Sequence, residues 1–212
     1  MKLFAIISLL LVTATITSAA MNRIDVLTLP DMTGWEKKEF SGETTYQLVS
    51  IDNRQVLKAS SNASASGLVR KIDIDLNKTP YMNWSWKVDA ILDDVAETTK
   101  AGDDYPARVY IVVSDGFFFW QTRALSYSWA SKQPKGSSWP NAFVDNATMV
   151  AVQSGDERVG EWVQEKRNIL DDIKNLLGID ATSIIAVAIM TDTDNSKQSA
   201  SAYYGDIFFT SD

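Results

Sequence analysis

The sequence contains no cysteine and no histidine. Without cysteine there is no disulfide to staple the fold and no thiol to carry a lipid, so the core must hold the chain unaided. Without histidine the usual general base near neutral pH and the usual zinc ligand are both missing. Ser-His-Asp and Cys-His catalysis are excluded outright. Sites built from Asp, Asn and carbonyl oxygens stay open, and calcium is the cation they suit outside the cytoplasm. Positive charge is also short. The net charge is −7 and no basic run overrides it, so neither nucleic acid nor an anionic membrane surface is an expected partner.

What is present fits one ordinary globular domain: 212 residues, 45% hydrophobic and 22% charged. The first twenty residues stand apart. Met1 and Lys2 give a positive start, Phe4 to Thr17 is mostly apolar, and Ser18-Ala19-Ala20 supplies small residues for cleavage. This is the three-part pattern of a secretory signal peptide. It predicts residues 1–20 as the signal, a single domain over 21–212, and a periplasmic or secreted protein. No other stretch is long and apolar enough to span a bilayer, so no membrane insertion is expected after cleavage.

The chain is organised around Ser183 to Thr210. Ile184 to Met190 is an unbroken apolar run, read as a strand covered on both faces. A polar loop carrying Asp192, Asp194 and Asn195 follows, and the chain returns as an aromatic strand with Asp206 inside it. There Tyr204, Asp206 and Phe208 are predicted to share one face. Earlier, Trp35 to Phe40, Thr44 to Ile51 and Gln55 to Ser60 read as strands, with Asp52-Asn53 as a turn. Tyr81 to Asp89 alternates most clearly, with Met82, Trp84, Trp86 and Val88 on one face. A period-two apolar face is normally the buried one, so these tryptophans read as core rather than as a sugar-stacking platform. Ile91 to Asp104 is an acidic loop. Pro106 to Asp115 and Arg123 to Ala130 are strands, separated by the aromatic patch Gly116 to Trp120. Ser131 to Asn141 is a loop, where Trp139 either contacts a ligand or folds back as a lid. Glu161 to Leu177 reads as a helix: Trp162, Ile169, Ile173, Leu176 and Leu177 recur at helical spacing and Gly178 stops it.

Two constellations carry chemistry. Asp192, Asp194, Asn195 and Asp206 form an oxygen set for a metal, although the spacing departs from the EF-hand loop. Alternatively Asp206 pairs with a strand arginine such as Arg108 or Arg123, and the loop aspartates cap turns. The second constellation is a carboxylate pair for glycoside hydrolysis, drawn from Asp103, Asp104, Asp192, Asp194 and Asp206. No compact motif singles out such a pair.

The segments YMNWSWKVD, GDDYPARVYIVVSD, ALSYSWAS, WPNAF, VQSGDE, GEWVQEKRNILDDIKNLLG and AVAIMTDTDNS…AYYGDIFF together resemble a bacterial family catalogued as domain of unknown function 3047. The likeness runs from about Trp35 to the C-terminus. That family has no established activity, so the resemblance implies no catalytic residues. It implies that Asp103-Asp104, Arg108, Trp129, Trp139-Pro140, Ser154-Gly155-Asp156, Arg167, Asp192 to Asn195 and Tyr204 to Asp206 mark a common site or scaffold. The ending AYYGDIFF also resembles the last strand of jelly-roll carbohydrate-binding modules, where an aspartate after aromatics holds a structural calcium. The expected fold is all-β: a two-sheet jelly-roll, galactose-binding-like sandwich with one late amphipathic helix. The expected function is non-catalytic binding of carbohydrate or a cell-envelope glycan, through Trp120, Trp129, Trp139, Arg108 and Tyr204. Its competitors are a carboxylate-dependent glycan-active enzyme and an envelope scaffold that binds another protein.

Overall fold

The structure, a computed structural model, describes residues 22–114 and 122–212. The predicted signal peptide and the aromatic patch with Trp120 lie outside the described residues. The described residues form thirteen strands. In order they are β1 (Arg23–Leu27), β2 (Trp35–Ser41), β3 (Thr45–Ile51), β4 (Arg54–Asn62), β5 (Ala65–Asp75), β6 (Tyr81–Val88) and β7 (Tyr105–Ser114). After these come β8 (Thr122–Ala130), β9 (Ser138–Pro140), β10 (Ala147–Ser154), β11 (Val163–Asn168), β12 (Ser183–Asp192) and β13 (Ser199–Thr210).

They form the two sheets of a jelly-roll sandwich. The six-stranded sheet runs β11-β6-β13-β4-β3, with β1 also paired to β13. The seven-stranded sheet runs β2-β5-β12-β7-β8-β10-β9. Its β8 and β10 are parallel, so residues 131–146 make a crossover between them.

The predicted alternation of β6 sets the core. Met82, Trp84, Trp86 and Val88 are buried, while the residues between them are half-buried. Facing them are Val109, Ile111 and Val113 of β7 with Leu125, Tyr127 and Trp129 of β8. Trp84 packs on Tyr127 at 5.5 Å and Trp86 on Trp129 at 6.0 Å between ring centroids. Burying one such ring stabilises by on the order of 4 kcal/mol as an upper figure.

Three predicted details change. Residues 161–168 are not helical: Val163–Asn168 is an edge strand on β6. The late helix shrinks to α1 (Ile169–Asp172), whose Asn168 side chain accepts from the Asp171 N–H, and a wider turn carries on to Leu177. Gly178, with φ 67°, stops it as expected. Second, β12 is not covered on both faces throughout, since Ile185 is exposed. Third, the 131–141 loop contains the short strand β9.

Segments 91–104 and 131–146 fold over one end of the seven-stranded sheet's outer face. There Tyr105, Ala130, Trp139, Met149 and Ala151 make a second small core. Gly102 permits this folding, because a Cβ there would lie 2.4 Å from the Ala96 nitrogen. Among the described residues no helix is long and apolar enough to cross a membrane.

Candidate functional site

Among the described residues, two places that concentrate polar side chains lie on the outer faces, one on each sheet. The first arises from a bulge. On β13, Tyr204 lies opposite Trp86 and Ile207 opposite Trp84, so one extra residue is inserted in the strand. Tyr204 and Ile207 therefore both point into the core, while Asp206 and Phe208 lie on the half-buried outer side. This corrects the predicted shared face of Tyr204 with Asp206 and Phe208. At the bulge Gly205 lies close against Ser85, whose Oγ would stand 2.2 Å from an added Cβ and would have to turn away. Asp206 Oδ1 accepts a hydrogen bond from the Leu29 N–H at 3.1 Å.

Around the bulge lie two adjoining hollows of about 400 and 440 Å³. Both are lined by Arg54, Ser85 and Asp206. Trp162 walls one end, and Glu165 and Phe208 line the other. Arg23 lies over the Phe208 ring, 3.6 Å from its centroid. Glu165 accepts from Gln153 Nε2 at 2.5 Å, and burial raises its carboxyl above the ordinary glutamate value. Gln153 belongs to the seven-stranded sheet, so the Glu165 carboxylate faces between the sheets, and the open groove itself offers a guanidinium, the Asp206 carboxylate, a hydroxyl and an indole.

The second place is the covered end of the seven-stranded sheet. Ala107, Val109 and Ile111 point into the core, so Arg108 points outward, with its guanidinium over the rings of Tyr105 and Tyr110. Arg108 is ion-paired with Asp192 Oδ2 and stands 3.8 Å from Asp103 Oδ1. Asp103 also accepts from Asn141 Nδ2 at 3.2 Å. Asp104 is fully buried and accepts from Asn195 N, Asn195 Nδ2 and Ser196 N at 3.2, 3.1 and 2.5 Å. Burial pushes the Asp192 carboxyl up to about 8, although Arg108 pulls it down; Asp104, Asp103 and Asp194 push it up too. Burial also raises Asp103.

A neighbouring carboxylate in the same covered end is fully satisfied. Glu97 Oε1 accepts from the Ser131 N–H at 2.5 Å, and Oε2 from Lys132 and Gln133 at 3.0 and 2.8 Å. The Tyr105 hydroxyl donates to the Glu97 carbonyl. Glu97 thereby ties the 91–104 segment to the start of the crossover.

The expected ligand contacts divide accordingly. Trp129 is fully buried and donates to the Gly155 carbonyl, so it is core and offers no stacking face. Trp139 is buried against Tyr105, at 6.5 Å between centroids; of its two readings the lid is the observed one. Tyr204 is fully buried and spans the sandwich, accepting from Arg108 N and donating to the Met190 carbonyl. Arg108 is spent on its two carboxylates. These four side chains are corrected from ligand contacts to interior structure, because each fills or neutralises the interior. Asp192, Asp194 and Asn195 do come together, but their partner is Asp104, and Asp206 stands on the other sheet. Asp206 pairs with the Leu29 amide rather than with Arg108. The predicted hydrolytic pool loses its use as a flanking pair, since Asp103, Asp104 and Asp192 are buried. Arg54, Ser85 and Trp162 were missed as groove residues. They come from strands and a loop far apart in sequence, and only the bulge in β13 unites them.

A family model described as Protein of unknown function (DUF3047) matches residues 33–208. The chain belongs to that family. No curated protein matches it by sequence. Among solved structures, it is similar to the family 30 carbohydrate-binding module of the cellulosomal cellulase Cel9D-Cel44B of Clostridium thermocellum. That similarity has 10% identity and a TM-score of 0.52, and covers 90% of this chain and 98% of the module. The family 11 module of Lic26A-Cel5E from the same organism shares 12% identity with a TM-score of 0.47, over 90% of this chain and 95% of that one. At such identities what the first comparison shares with this chain is the fold.

Proposed function

We propose that the chain is an exported, non-catalytic glycan-binding domain, and that glycan lies in the groove on the six-stranded sheet. The observation that carries this reading is the pair of adjoining hollows around Arg54, Ser85 and Asp206 with Trp162 at the wall. Sugars present hydroxyls to carboxylates and guanidinium groups, and C–H faces to an indole. The volume lies within the range of about 300–1,000 Å³ common to small-ligand sites. The shared fold with a carbohydrate-binding module supports the class, and the leader-like residues 1–20 support export. A net charge of −7 directs the search to neutral or cationic glycans rather than polyanions.

The test is affinity electrophoresis through gels containing neutral and amino-sugar polysaccharides of cell envelopes. The wild-type protein is retarded by at least one of them. Trp162→Ala and Asp206→Asn each weaken retention about tenfold, the loss of one good contact. Trp139→Ala lowers stability without a specific loss of retention, because that ring is interior. A wild-type protein that migrates freely through every gel sinks the proposal.

A further inference from the structure

The covered end of the seven-stranded sheet holds more negative charge than its protein partners neutralise. Asp103, Asp104, Asp192 and Asp194 gather there, and among the described residues Arg108 is the cation ion-paired with them. Asp104 is satisfied by two backbone N–H groups and the Asn195 amide. Asp194 receives only a long contact from Asn195 Nδ2, at 3.4 Å. Asp192 is the odd member. Its relative exposure is 2%, its Oδ2 is taken by Arg108, and its Oδ1 has no hydrogen-bond partner. A buried carboxylate oxygen with no partner is costly, and Asp192 is one of the three acids whose carboxylates converge here.

Asp104, Asp192 and Asp194 each offer one oxygen, all within 4.8 Å of one another. Three oxygens within 4.8 Å of one another lie no more than about 2.8 Å from a common centre, so a small inward adjustment brings all three to calcium–oxygen bonds of about 2.3–2.6 Å. Asp104 Oδ1 accepts two N–H bonds but Oδ2 accepts one, so Oδ2 keeps a lone pair free for a ligand. We propose that Asp104, Asp192 and Asp194 are the carboxylate ligands of one divalent cation, calcium by its chemistry, bound at the end of β12. Magnesium fits less well, because it keeps its waters and takes one or two carboxylates rather than three. The half-buried Asp194 gives the entry side, while Asp104 and Asp192 form the buried wall. The ion would pin the loop after β12 to the start of β7, a structural role separate from the groove on the other sheet.

Thermal unfolding and titration calorimetry of the full chain, first treated with chelator and then given calcium chloride alone, test this. One saturable site appears, with melting raised by roughly 5–10 °C at a hundredfold excess over Kd. Magnesium chloride at the same concentration gives a much smaller rise. Asp194→Asn, a half-exposed change that spares the fold, weakens calcium at least about tenfold, and Asp192→Asn abolishes the response. Asp206→Asn keeps the full calcium response. Melting that ignores millimolar calcium, as protonation of Asp192 in place of a metal would give, overturns the proposal. So does a response that survives in Asp194→Asn, or one lost in Asp206→Asn.

Discussion

Glu97 and Asp192 are both buried carboxylates at the covered end of the seven-stranded sheet, and they are satisfied in opposite ways. Glu97 takes three backbone N–H groups, at least one on each oxygen. Asp192 has a guanidinium on one oxygen and nothing on the other. The amides around Glu97 are fixed by the chain's own path, so its charge is stabilised without any second ion. Asp192 instead shares one guanidinium with Asp103 and faces two further acids. A carboxylate filled by backbone amides is complete as architecture. A half-filled one beside other acids retains capacity for a ligand.

The largest expected effect tests the complete member. Glu97→Ala strands one buried and two part-buried N–H groups and costs about 4 kcal/mol in urea unfolding, equally with and without calcium. A loss below about 1 kcal/mol would mean that water replaces the carboxylate and that the contrast fails. Next is Arg108→Leu, which leaves Asp192 and Asp103 buried without their cation. In chelator it costs about 3 kcal/mol, and added calcium restores part of that. The same loss in both buffers would separate Arg108 from the cation site. Asp172 is an intermediate case, held by the Tyr127 hydroxyl at 2.8 Å and by Arg167. Tyr127→Phe removes one hydrogen bond of a buried network and costs about 1–2 kcal/mol, insensitive to calcium. The smallest effect is on the inward side of β11. Glu165 has its carboxyl raised by burial, so the native state holds a proton that the unfolded chain has released. Its stabilising share is complete below the ordinary glutamate value and is lost as pH rises through the raised folded value. Glu165→Gln flattens that slope in melts across weakly acidic pH; an unchanged slope would remove Glu165 from the account.

The readable parts of the fold are those where alternation is carried by apolar side chains. β6, β7 and β8 follow the predicted faces residue by residue, because Trp84, Val109 and Tyr127 leave an unmistakable period of two. β11 was unreadable for the converse reason. Its inward positions are Val163, Glu165 and Arg167, so a single apolar residue marks the buried side. The helical spacing of Trp162, Ile169 and Ile173 prevailed over so faint a signal, although a short helix does follow. Asp192 with Asp194 was legible as an acidic loop, whereas Asp104 joins them only through the antiparallel pairing of β7 with β12. Asp206 was assigned to the wrong company because one inserted residue in β13 reverses which way it points. A bulge leaves no periodic trace in a strand already rich in aromatics.

That same strand has a consequence for how the protein is made. β13 pairs with β1, β4 and β6, and it follows all three in the chain. A nascent polypeptide holding every earlier strand still lacks the member that zips them, so the six-stranded layer has no stable partial form to close prematurely. The topology leaves this layer open until Thr210 is in hand, so a chain stopped before β13 presents the unpaired sides of β1, β4 and β6 to water.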